Sequence, residues 1–103
     1  MIKKNQFFIK DLQSVVFLGQ NDLFSDLIRV NKSLNLKTLI ITSSHQSKLI
    51  NNKINFSVFN NIDNKFKKFI NDNVKIENSI FISLGARYIF KKDTIKNFFL
   101  NNL

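Results

Sequence analysis

Short apolar runs alternate with segments of helical periodicity along most of this chain. The first run, Ser14–Gly19, combines β-branched and aromatic residues and ends at a glycine. Such a run is continuously apolar, which is typical of a strand buried on both faces. Strands that alternate with helices favour parallel pairing, with the helices as crossovers. We therefore predict an α/β fold, a three-layer, Rossmann-like, doubly wound and mostly parallel sheet.

The pattern predicts four units of one strand and one helix each. The predicted strands are Ser14–Gly19, 36–42, 56–59 and 78–83. The first helix begins at Asn21 or Asp22 and closes at 33–35, and a short helix covers 46–51. A third helix starts at Asp63 or Asn64. A fourth begins near Lys92 and Asp93, with Ile95, Phe98 and Phe99 facing inward.

The length of 103 residues allows one domain at most. We expect residues 1–13 to form an N-terminal arm or an edge strand, and residues 14–103 to form the domain. The chain has no Cys, which excludes disulfides and thiolate metal sites and fits a reducing compartment. No apolar run approaches the roughly 20 residues of a membrane-spanning helix. We therefore expect a cytoplasmic protein with no membrane partner.

The net charge of +9 would ordinarily suggest nucleic acid as a partner. However, Asn, Lys, Ile and Phe make up 56 of the 103 residues, and these four share A/T-rich codons. There are only two Arg, and the Lys residues are spread along the chain rather than clustered. The charge therefore reflects nucleotide composition as much as function. A small basic module that binds nucleic acid or a protein partner remains the alternative function.

Ligands of doubly wound sheets bind beyond the carboxyl ends of the strands. Three such ends are candidates here, at residues 19–22, 43–46 and 84–88. The dinucleotide-binding fingerprint needs three glycines and the chain has two, so that motif is excluded. We interpret Gly19 as a tight strand-to-helix turn.

The titratable residues form no obvious catalytic group. His45 is the only histidine, and with no Cys or nearby carboxylate it predicts a solvated loop residue rather than a metal ligand. Asp22 and Asp26 are four residues apart, which suits a helix N-cap followed by an acidic residue in the first turn. The alternative is an acidic active-site pair, which lacks a third Asp after the second strand.

The fourth predicted strand ends in a small-residue loop with an aromatic, Leu84-Gly85-Ala86-Arg87-Tyr88, before the lysine-rich start of a helix. With this pattern, residues 79–95 resemble the folate-dependent formyltransferase family. Residues 15–28 also resemble the first strand and helix of that family. The likeness extends over about 14–103 in the order of elements, and is closer to the sugar-nucleotide than to the methionyl-tRNA enzymes.

The resemblance implies transfer of a formyl group from N10-formyltetrahydrofolate to an amine of a sugar nucleotide or an aminoacyl-tRNA. The family's catalytic Asn-x-His and later Asp are not in this chain, since neither Asn101 nor Asn102 precedes such a His. We therefore assign no catalytic residue, leave enzymatic activity open, and expect a truncated N-terminal part, inactive unless a second chain completes it. The resemblance implies a folate-binding loop made of Leu84, Gly85, Ala86, Arg87, Tyr88 and Ile89.

Overall fold

A computed structural model of the chain describes residues 11–88 and 90–99. It contains four strands, β1 (Ser14–Gly19), β2 (Lys37–Thr42), β3 (Ser57–Val58) and β4 (Ser79–Leu84). The three pairings between these strands are parallel, and the order across the sheet is β3-β2-β1-β4. The predicted parallel α/β sheet is therefore confirmed.

The helices are α1 (Phe24–Ser33), α2 (Ser44–Ser47), α3 (Asn64–Asn73) and α4 (Lys92–Thr94). A single 3₁₀ turn, Ile76–Asn78, precedes β4, and α4 continues as a π-helical turn, Ile95–Phe99. No helix in the described ranges is long and apolar enough to cross a membrane.

Two predicted helix starts are wrong. The N-cap of α1 is Leu23, with no side-chain hydrogen bond, rather than Asn21 or Asp22. The side chain of Asn21 instead accepts a hydrogen bond from the Leu23 amide at 2.8 Å, which holds the turn before the helix. The second helix covers 44–47 instead of 46–51, because the Ser43 side chain caps it by accepting from the Gln46 amide.

The strand order places a topological switch point between β1 and β4. The chain runs outward from β1 to β2 and β3, then returns across the sheet to place β4 on the other side of β1. Helices cover both faces, since Phe24 of α1 packs with Phe17 on one face and Phe66 of α3 packs with Val16 on the other. This is the order of the first four strands in a classic doubly wound sheet.

The face covered by α3 carries an aromatic core. Phe66 is fully buried, and its ring lies 5.8 Å from those of Phe59 and Tyr88 and 6.4 Å from that of Phe99. Phe98 and Phe99 pack against this core as predicted, whereas Ile95 is 37% exposed. The inward orientation predicted for Ile95 is wrong, because the π-helical turn changes the angular spacing of the side chains.

The predicted arm at 1–13 lies mostly outside the described residues. Its last residue extends the sheet, because the Gln13 amide donates to the Asn78 carbonyl at 2.8 Å and the Gln13 carbonyl accepts from Lys37 at 2.9 Å. The amino end of β1 is therefore tied to both neighbouring strands.

Candidate functional site

The three predicted strand ends converge at one edge of the sheet, which we call the carboxyl edge. It comprises the ends of β1, β2 and β4 with the residues that follow them, 19–22, 43–46 and 84–88. The Gln20 amide donates to the Leu84 carbonyl at 3.1 Å, which ties the first segment to the third. The Gln46 side chain donates to the Gly85 carbonyl at 2.8 Å, which ties in the second.

Gly19 lies at the end of β1, where it pairs with Leu84 of β4 and forms an isolated bridge with Gly85. Its φ is +120°, and a Cβ built there would lie 2.3 Å from the Leu84 carbonyl oxygen and 2.9 Å from the Ala86 nitrogen. Contacts this short exclude any side chain. The interpretation of Gly19 as a tight turn is wrong, because Gly19 is the last residue of β1 and the turn lies at Asp22 and Leu23. Close approach of the backbone is what requires this glycine.

Gly85, unlike Gly19, has empty space around its Cα. Its φ of +66° also favours glycine, but a Cβ built there would meet nothing within 4 Å. The residue is exposed, and its carbonyl accepts a hydrogen bond from the Gln46 side chain. At the switch point, backbone atoms therefore fill the space beside Gly19, whereas the space beside Gly85 is empty.

Tyr88 anchors the end of the 84–88 loop in the aromatic core. It is 7% exposed, and its hydroxyl donates to the Phe59 carbonyl at 2.7 Å. Burial of the phenol, which penalises its charged form, raises the pKa of Tyr88 to about 12. Tyr88 therefore holds the end of the loop against the core rather than facing a ligand.

The six residues predicted to bind folate therefore have different surroundings. Leu84 and Ala86 pack against opposite cores, and Tyr88 is buried. Gly85 and Arg87 are exposed. Neither ion pair formed within the described ranges involves Arg87, so its guanidinium is available to an anion. Ile89 lies outside the described residues.

Gln46 is the polar side chain at this edge that sequence reasoning did not select. It is 8% exposed, and its side-chain oxygen accepts from the Ser43 hydroxyl at 3.3 Å while its amide nitrogen reaches Gly85. A signal was present, because Ser43-x-x-Gln46 has the spacing of a capping box. That pattern predicts the cap but not the contact with residue 85.

Thr42 contributes a buried hydroxyl to the same edge. The residue is fully buried at the end of β2, and its Oγ1 has no hydrogen-bond partner among the residues that the structure describes. Its backbone carbonyl is paired, accepting from the Phe59 amide at 2.9 Å. Since Thr42 is fully covered, a ligand at the surface does not reach it.

The remaining candidate residues, His45, Asp22 and Asp26, do not form a catalytic group with one another. His45 is exposed as predicted but lies in α2 rather than in a loop, and no cluster of metal-ligating side chains occurs in the described part of the chain. Asp26 lies in the first turn of α1 as predicted and pairs with Arg29. Asp22 is exposed and accepts from the Gln20 side chain at 3.0 Å, so the two carboxylates have separate partners.

A small cavity lies beside the carboxyl edge, between the β1–α1 turn and residues 49–54. Its volume is about 130 Å³, below the roughly 300–1,000 Å³ typical of pockets that enclose a small-molecule ligand. A ligand the size of a folate would therefore lie outside this cavity.

The fold and its edge define an α/β protein of the doubly wound class. Comparisons with family models, with curated proteins and with solved structures returned no match.

Proposed function

We propose that this chain is the folate-binding part of a formyltransferase-type domain and binds N10-formyltetrahydrofolate at the carboxyl edge. The proposal rests on the likeness of residues 79–95 to that family and on the position of the 84–88 loop. The chain contains no Asn-x-His. Formyl transfer to a sugar nucleotide or an aminoacyl-tRNA therefore needs catalytic groups that are not among its 103 residues, such as those of a second chain.

The observation that carries the proposal is the exposure of Gly85 and Arg87 at the switch point. Ligands of doubly wound sheets bind at this location. Gly85 leaves open space beside the peptide backbone, where a flat heterocycle can approach closely. The residues present therefore fit one end of a reduced folate, its pterin ring.

Arg87 fits the other end of the same ligand. A folate ends in a glutamate with two carboxylates, and a guanidinium binds a carboxylate through two parallel hydrogen bonds. The loop thus presents a surface for the ring and a cation for the tail within three residues.

Isothermal titration of the full chain with tetrahydrofolate tests the proposal. We expect saturable binding with one ligand per chain. Arg87→Ala removes the cation and is expected to raise the Kd roughly 2- to 5-fold, the effect of one solvent-exposed ion pair.

Arg29→Ala is the matched control, because Arg29 is the only other arginine and lies on α1 in an exposed pair with Asp26. We expect it to leave the Kd unchanged. Absence of binding, or an equal loss in both variants, would contradict the proposal.

A further inference from the structure

The Gln46 side chain connects two strand ends that are not neighbours in the sheet. It follows β2, whereas Gly85 follows β4, and β1 lies between these strands. β1, which ends at Gly19, separates the two strands that this bond connects. The two bonded residues are 39 positions apart in sequence.

The bonds of Gln46 use both ends of its amide. The nitrogen donates to the Gly85 carbonyl, and the oxygen accepts from Ser43, whose own hydroxyl caps α2. Because Gln46 is buried, loss of either bond leaves a polar group without water to replace its partner. The amide is therefore fixed in one orientation, and it fixes the Gly85 carbonyl in turn.

We propose that Gln46 is a positioning residue for the ligand site: it holds the 84–88 loop in the conformation that binds the reduced folate, a role that rests on the proposed function. Gly85 has φ +66° and no side chain to pack, and its backbone forms an isolated bridge with Gly19. The Gln46 bond is therefore a second tie on this residue, at its carbonyl. With its carbonyl held by Gln46, Gly85 is still exposed to solvent, as is Arg87 two residues on.

Two substitutions separate this role from packing. Gln46→Met keeps the length of the side chain and removes both bonds. Gln46→Glu keeps the shape, but an ionised carboxylate cannot donate to the Gly85 carbonyl, whereas the protonated acid can. The protonated acid can donate to the Gly85 carbonyl while its other oxygen accepts from Ser43, so lowering the pH restores both bonds.

The positioning role is tested by measuring the Kd for tetrahydrofolate from pH 8 down to pH 5. Each variant is compared with the unmodified chain at the same pH. We expect Gln46→Met to raise the Kd roughly tenfold throughout, about the effect of one hydrogen bond. Gln46→Glu is expected to match that loss at pH 8 and to regain affinity as the pH falls. Other charged or titratable residues follow the three strands and are present in every protein compared, so their titration cancels in the Kd ratio: Asp22, His45, Lys48 and Arg87. The series is repeated with His45→Asn as a control for the histidine.

Asn60→Ala is the matched control for loosening of α2. The Asn60 side chain accepts from the Ser44 amide at 2.8 Å and from its hydroxyl at 3.0 Å, so it holds α2 without touching Gly85. We expect its Kd to stay at the unmodified value. If Gln46→Met does not fold, the pH series of Gln46→Glu decides, because one protein then supplies both states of the bond.

Unchanged affinity in Gln46→Met, or a pH-independent Kd ratio in Gln46→Glu, would overturn the positioning role while leaving the proposed function intact. A loss in Asn60→Ala equal to that in Gln46→Met would overturn it as well. Absence of binding by the unmodified chain would contradict the proposed function, and the positioning role with it.

Discussion

Gly19 and Gly85 face each other across the ends of β1 and β4, yet a methyl group has different consequences at each. Both have positive φ, but only Gly19 lies against backbone atoms that cannot move independently of the sheet. This difference is invisible in the sequence, where each glycine simply ends a strand. Close approach depends on which strands are neighbours.

Alanine substitution measures that difference. Gly19→Ala is expected to lower the free energy of unfolding by about 2 kcal/mol or more, because a strained φ and a clash add together. Gly85→Ala, the matched control, is expected to cost about 1 kcal/mol through its φ alone. Urea denaturation measures both, and equal losses would contradict the close approach at Gly19.

Titration of Tyr88 makes the free energy of unfolding depend on pH. Its pKa is raised to about 12 by burial, against 10.0 for the free side chain. Above pH 10 the unfolded chain releases the phenolic proton while the folded chain retains it, so unfolding becomes more favourable as pH rises. The stabilisation is complete below pH 10 and is lost as the pH approaches 12.

Tyr88→Phe removes both the titration and the hydrogen bond to the Phe59 carbonyl. We expect it to lower the free energy of unfolding at pH 7 by about 1 kcal/mol. Between pH 10 and 12 the stability of the unmodified chain is expected to fall more steeply than that of the variant, since lysine titration is common to both. If the free energy of unfolding, measured by urea denaturation, fell equally with pH in both proteins, burial of the phenol would be contradicted.

At the scale of elements, α3 was predicted most closely and α2 least. The predicted start at Asp63 or Asn64 is confirmed, because Asp63 is the N-cap of a ten-residue amphipathic helix and its carboxylate accepts from the Phe66 amide at 3.0 Å. The four-residue α2 has too few positions to show a period, so its predicted range was shifted. β1 was predicted exactly to its bounds because its six residues are all buried.

Asp22 and Asp63, each predicted at the start of a helix, form a matched pair. Asp63→Ala is expected to lower the free energy of unfolding by about 1 kcal/mol, the usual cost of losing an N-cap. Asp22→Ala is expected to change it by less than about 0.5 kcal/mol, because Leu23 occupies the N-cap of α1. Thermal or urea unfolding of both variants checks this, and an equal loss would mean that Asp22 also stabilises its helix.

At the scale of the whole molecule, the parallel sheet followed from the alternation of strands and helices, but the strand order did not. Continuous apolar strands are compatible with several neighbours, so nothing in β4 itself places it beside β1. The carboxyl edge was predicted because parallel strands end on the same side of a sheet. The contact between Gln46 and Gly85 was not, since it depends on the crossing over β1.

The central claim concerns this edge, namely that the exposed part of the 84–88 loop binds a reduced folate. The most direct measurement is a ¹H–¹⁵N NMR titration of the full chain with tetrahydrofolate, which reports on each backbone amide. We expect saturable shifts at Gly85, Ala86 and Arg87, and none at the distant end of α1 around Lys32. Shifts spread over the lysine-bearing surface, or none at the loop, would contradict folate binding at the carboxyl edge.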